Sequence, residues 1–193
     1  MKKRVKLITT IASLCLAVAL MAFGVYAATN SKVTLTSTIK YSVSGQVNME
    51  MKVQVAYTAG HVTVTENDSY DSGAENTWTI TQLPGQENVN KTINLGSYEF
   101  NSASIQNDTI TYTITITNRS ATEDLYIKVS GINETTSGAV TSKINAPTES
   151  KAAKNNGTYV YKVVYTLADA TQSLDKDLSF NPMFEMQLVD FGA

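Results

Sequence analysis

From residue 109 to residue 117 every second side chain is threonine, and the positions between are Ile110, Tyr112, Ile114 and Ile116. Successive side chains of an extended chain leave opposite faces, so this segment is a strand with one apolar and one hydroxylated face. A sheet that is apolar on one side has to bury it, which demands a second layer. The alternation recurs. Val33, Leu35, Ile39, Tyr41 and Val43 share one parity, with Thr34, Thr36, Thr38 and Lys40 on the other. Val47, Met49, Met51, Val53 and Val55 alternate with Asn48, Glu50, Lys52 and Gln54. Tyr159, Tyr161, Val163, Tyr165 and Leu167 form another row, and Val160 and Val164 make its second face partly apolar, as in an interior strand.

Shorter runs of strand type lie at 61–65, 77–81, 92–95, 97–100, 125–129 and 184–188, divided by glycine, proline, asparagine and aspartate turn signals. The runs at 109–117 and 125–129 are expected to pair antiparallel across the polar connection between them. One piece carries helix signals. At 147–155 Pro147 suits a first turn, Thr148 or Ser150 a cap, and Asn156-Gly157 a stop. About nine strands with so little helix predict an all-β, antiparallel β-sandwich of the jelly-roll or immunoglobulin-like kind. It is read as a single domain over residues 28–193, preceded by an N-terminal signal helix.

Residues 1–27 are read as that secretory signal: Lys2, Lys3, Arg4 and Lys6 precede an apolar stretch, and Val25-Tyr26-Ala27 presents small residues where a signal peptidase cuts. The competing readings are an uncleaved anchor, with membrane contact only through this segment, and a lipid-modified Cys15. Cleavage removes four of the fifteen basic residues and none of the seventeen acidic ones, leaving eleven against seventeen. The remaining acidic chain has Arg119 as its one arginine, which argues against nucleic acid as a partner. The single cysteine leaves with the signal, so the core alone has to hold the domain together, in the manner of a Gram-positive secreted protein. Six N-x-[ST] triplets begin at Asn67, Asn90, Asn107, Asn118, Asn133 and Asn156, as a threonine- and asparagine-rich chain produces by chance.

No reaction centre stands out. His61 is the one histidine, there is no G-x-S-x-G elbow, and a zinc site would have to rest mainly on carboxylates. The reading is therefore non-enzymatic, without a cofactor. Glu66, Asn67, Asp68 and Asp71 crowd one loop and are the candidate calcium ligands; Asp175 and Asp177 share another. Neither has the spacing of an EF-hand, and aspartate and asparagine form solvated turns in their own right. Trp78, Tyr159, Tyr161 and Tyr165 could stack on sugars, but their shared parity points to the core. The threonine rows could face a flat ligand such as polysaccharide, or simply be strand surface.

Residues 110–118 read Ile-Thr-Tyr-Thr-Ile-Thr-Ile-Thr-Asn and 125–129 read Leu-Tyr-Ile-Lys-Val. The pair resembles the Y-x-I-x-V-x-N strand motif of immunoglobulin-like surface modules of Gram-positive bacteria. The plan of a signal followed by one acidic β domain is similar to the TasA and camelysin group of biofilm-matrix proteins. That resemblance implies a jelly-roll sandwich and assembly into extracellular fibres. Ala27-Ala28-Thr29-Asn30 departs from the aromatic and acidic residues usual there, and no residues of a camelysin protease site can be named.

Two functions follow. One is a secreted structural protein of the cell surface or extracellular matrix. Its proline-free N-terminal strand, with Val33, Leu35, Ile39, Tyr41 and Val43, is donated to a neighbour, so the partners are other copies or other envelope proteins. The other is a monomeric extracellular binding module for a glycan or protein, using loops 66–76 and 131–146. The place of the first strand separates them: built into its own sheet it argues for a monomer, projecting outward it argues for donation.

Overall fold

The computed structural model describes residues 32–65, 76–85, 89–101, 103–169 and 177–192. The period-two rows are strands. Strand β1 (Val33–Ser44) alternates buried and outward residues along its whole length, and β2 (Met49–Tyr57) repeats the pattern. They are followed by β3 (Val62–Thr65), β4 (Asn76–Gln82), β5 (Val89–Phe100), β6 (Thr109–Asn118) and β7 (Leu125–Ser130). The remaining strands are β8 (Thr136–Ser137), β9 (Val140–Asn145), β10 (Lys151–Ala152), β11 (Thr158–Leu167), β12 (Leu178–Phe180) and β13 (Met183–Gln187).

The strands form two sheets. The first runs β10-β7-β13-β1-β5-β3, with β12 also paired to β1; the second runs β4-β2-β6-β11-β9-β8. Rings bridge the layers: Tyr98 of β5 meets Tyr112 of β6 edge-on at 5.9 Å, and Tyr161 of β11 meets Phe184 of β13 edge-on at 5.6 Å. Tyr112 stacks on Phe180 at 4.0 Å. The isoleucines and tyrosine of β6 are fully buried between the layers while its threonines stay half-exposed. Burying each such large side chain contributes about 1.5–3 kcal/mol. Trp78, Tyr159, Tyr161 and Tyr165 belong to this core, as their parity predicts.

Three expectations fail. First, β6 does not pair with β7: β6 lies between β2 and β11 in one sheet, and β7 lies between β13 and β10 in the other. Alternation fixes which face of a strand is dry, not which strand lies beside it. Residues 119–124 span the roughly 10 Å between layers rather than closing a hairpin. Asn118 holds this crossing, its amide donating to the carbonyls of Glu123 at 2.8 Å and Ala152 at 3.1 Å. Second, the helix expected at 147–155 is instead a bend and a turn on either side of the two-residue strand β10. So short a helix is marginal alone, whereas here Ala152 is fully buried and the Ile127 N–H donates to the Ser150 carbonyl at 2.8 Å. The Asp124 carboxylate receives the Lys154 N–H at 3.0 Å and the Lys151 ammonium at 3.1 Å, in that order the causes that lower its pKa. Third, the runs on either side of Gly96 are one strand, β5, with a bulge. The short additional strands raise the number to thirteen among the described residues.

Candidate functional site

Strand β1 is the element on which the two functional expectations divide, and it lies inside its own sheet. It pairs antiparallel with β5 from Val33 opposite Phe100 to Val43 opposite Val89. On its other side it runs parallel to β12 at Leu35–Ser37 and to β13 at Lys40–Ser44. Val33, Leu35, Ile39, Tyr41 and Val43 are between 0 and 3% exposed. Within the single chain the strand is thus built into its own sheet rather than projecting from it.

One residue in the buried row of β1 is polar. The Ser37 hydroxyl donates to the Leu35 carbonyl at 3.2 Å and lies 2.5 Å from the Tyr112 hydroxyl. Burial pushes the Tyr112 phenol well above its ordinary pKa, against the opposing pull of the Ser37 bond. At this level β5 skips Leu95 in its pairing, so Ser37 faces Gly96 and Thr38 faces Asn94. Gly96 sits at φ 88°, a conformation glycine adopts without cost, and its N–H donates to the Asn94 side chain at 2.9 Å. A slip of β1 along its neighbours would take the Ser37 hydroxyl away from the buried Tyr112 hydroxyl, so this bond favours one register.

The strand is tied to the body at one end by a short connection. Ser44, Gly45 and Gln46 are exposed, and Gly45 is at φ 83°. Fixed structure resumes at Val47, which is fully buried, and at Asn48, whose carbonyl receives the Arg119 N–H at 2.8 Å. Arg119 itself reaches Glu50 at 3.1 Å and Asn156 at 2.8 Å. The connection between β1 and β2 is thus short and exposed, and the Val47 N–H closes it on the Gly45 carbonyl at 3.0 Å.

The sandwich has a hollow on each flank. Between β7 and the β9–β11 side lies a cavity of about 490 Å³, lined among others by Tyr126, Lys128, Tyr159, Tyr161, Asp190 and Phe191. The Lys128 ammonium stands 5.7 Å from the Phe191 ring and 3.2 Å from the Glu185 carboxylate. Burial pushes the Tyr161 phenol up to about 12. Ring walls with a few charges at the rim suit a small planar or sugar-like ligand. Tyr126 was the available signal, an aromatic on the outward parity of its strand; Asp190 and Phe191 follow the last strand and had none. The opposite flank holds a smaller hollow of about 240 Å³ between β4 and β5, lined by Tyr41, Trp78, Thr79, Ile80, Lys91, Thr92 and Ile93.

His61 lies in the turn before β3. Its Nδ1 is 2.9 Å from the Asp108 carboxylate, which also receives the Ile105 N–H at 2.6 Å. The Ser104 hydroxyl donates to the His61 carbonyl oxygen at 2.5 Å, not to the ring. The cluster pins two turns together. Of the expected calcium ligands, Glu66, Asn67, Asp68 and Asp71 lie outside the described residues, as do Asp175 and the signal segment. Among the described residues no three histidine, cysteine or carboxylate side chains group as metal ligands. No described helix is long and apolar enough to cross a membrane.

No protein-family profile matches the chain, and no curated protein does. Among solved structures, the yeast delta-COP-I mu-homology domain complexed with a WxWxV peptide is similar at 9% identity, over 82% of this chain and 96% of that one. Its TM-score is 0.15, so the likeness carries no argument.

Proposed function

We propose that this chain is a secreted, non-enzymatic structural protein of the cell surface or extracellular matrix, and that copies join by exchanging strand β1. The observation that carries the reading is the seat of β1. An N-terminal strand fills the slot between β5 and β13, is held in register by Ser37, and hangs from the body by an exposed connection at 44–46. A neighbour's β1 can fill the same slot with every contact preserved. Exchange of an identical element in this way is a low-cost route to assembly. Passed from copy to copy without closing, it yields a fibre.

The resemblance to the TasA and camelysin group supports the same reading, as does that to Gram-positive immunoglobulin-like surface modules. Jelly-roll and immunoglobulin-like sandwiches are both built from antiparallel strands. Here β1 pairs antiparallel with β5 and parallel with β12 and β13. Electron microscopy and light scattering of protein beginning at Ala28, held at high concentration, test the proposal. Fibres are expected, and a monomer under every condition overturns it. The cavity beside Tyr126 and Phe191 favours a second reading, a monomeric module binding a glycan or protein; a glycan array with the Tyr126→Ala variant as control tests that one.

A further inference from the structure

Tyr159 and Tyr161 stand in the buried row of β11 and are 4% and 3% exposed. A buried tyrosine usually finds a hydrogen-bond partner for its hydroxyl. Tyr112 has Ser37, but among the described residues neither Tyr159 nor Tyr161 has one. Their oxygens are not sealed in, since no fully enclosed polar side-chain atom of the described residues lacks a partner. Both tyrosines line the cavity of about 490 Å³, so their hydroxyls open into it.

The cavity continues into a second hollow beside β10, which shares Tyr126, Ser150 and Asp190 with it and adds Glu149 and Lys151. Both ammonium groups along this groove are already matched, Lys128 by Glu185 at 3.2 Å and Lys151 by Asp124 at 3.1 Å. Among the described residues Glu149 and Asp190 are left without an ion pair. The mouth therefore carries surplus negative charge beside the rings of Tyr126 and Phe191. Such a mouth repels an anion, whereas a cation is drawn both to the carboxylates and to the ring faces. The Lys128 ammonium, 5.7 Å from the Phe191 ring, shows one cation already so placed. Deeper in, two phenols that donate and accept alike match the hydroxyls around a sugar ring. We infer, resting on the binding-module reading, that this groove takes an amino sugar of a glycan. Its apolar face lies against Tyr126 and Phe191, its hydroxyls reach Tyr159 and Tyr161, and its ammonium meets Asp190.

Calorimetric titration of the Ala28 form tests it, with a chitosan tetramer of glucosamine units, its fully N-acetylated counterpart and a galacturonate tetramer. The chitosan tetramer should bind, the anionic galacturonate should not, and the N-acetylated chain, which has no ammonium, should bind at least about tenfold more weakly. Asp190 is exposed, and Asp190→Asn should weaken the chitosan tetramer about tenfold while leaving the N-acetylated chain unchanged. Tyr161→Phe keeps the ring on Phe184 and should weaken both about threefold or more. No binding of the chitosan tetramer, equal binding of the N-acetylated one, or affinity indifferent to both substitutions overturns the inference. In that event a glycan array with other ligands sensitive to Tyr126→Ala leaves the binding-module reading standing, and an empty array sinks both. Exchange of β1 is untouched by either result.

Discussion

Strands β1 and β4 are written alike and placed differently. Each is free of proline and sets threonines against apolar residues, yet β1 is enclosed by β5 on one side and β12 and β13 on the other, whereas among the described strands β4 pairs with β2. What separates them is the buried row. In β1 it runs for six positions and includes a serine bonded across the core to Tyr112. In β4 it is Trp78, the half-buried Ile80 and the buried Gln82, beside an open hollow. A strand enclosed on both sides can join copies only by exchange, and a strand at the rim only by addition.

The largest effect should come from removing residues 32–44. The Ala28 form lacking them should lose cooperative thermal unfolding by circular dichroism, and a synthetic peptide of that sequence should restore it in trans. Folding without the peptide would make β1 no different from β4. Next is Ser37→Ala, which leaves the buried Tyr112 hydroxyl without its partner and should cost about 1–3 kcal/mol in denaturant unfolding.

Alkali should act on the same core. Tyr161 and Tyr165 are raised to about 12 by burial and would ionise near 10.0 once unfolded. A group whose pKa is raised on folding contributes stability fully below its unfolded value and loses it as pH climbs to the folded one. Stability should therefore fall between pH 10.0 and about 12, with tyrosinate absorbance rising together with unfolding. The smallest effect is expected at the rim, where Thr79→Glu should change monomer stability by no more than about 0.5 kcal/mol.

The two-layered β architecture was legible because a strand with one dry face announces itself at every second residue, as in 109–117 and 159–167. Neighbours were not. The pairing of β6 with β7 failed because 119–124 reads equally as a hairpin loop or a crossing between layers, and the difference rests on Asn118 reaching Ala152, far along the chain. The helix at 147–155 failed because local caps and alanines were outweighed by an edge of β7 and a buried slot for Ala152. Of the candidate site, the dry face of β1 was legible but its seat was not, since nothing in Val33 to Val43 tells a central strand from a projecting one. The flank cavity was missed because its wall is assembled from β7, β9, β11 and the chain after β13.

The most direct test of β1 exchange is a cysteine pair, Thr36→Cys with Ser97→Cys, in protein beginning at Ala28. The two positions face each other across β1 and β5, and the native Cys15 is gone. If copies lend β1 to one another, oxidation of assembled material should give a covalent ladder extending beyond dimers on a non-reducing gel. If every disulfide instead closes within one chain at all concentrations, β1 belongs to its own molecule alone and the account is contradicted.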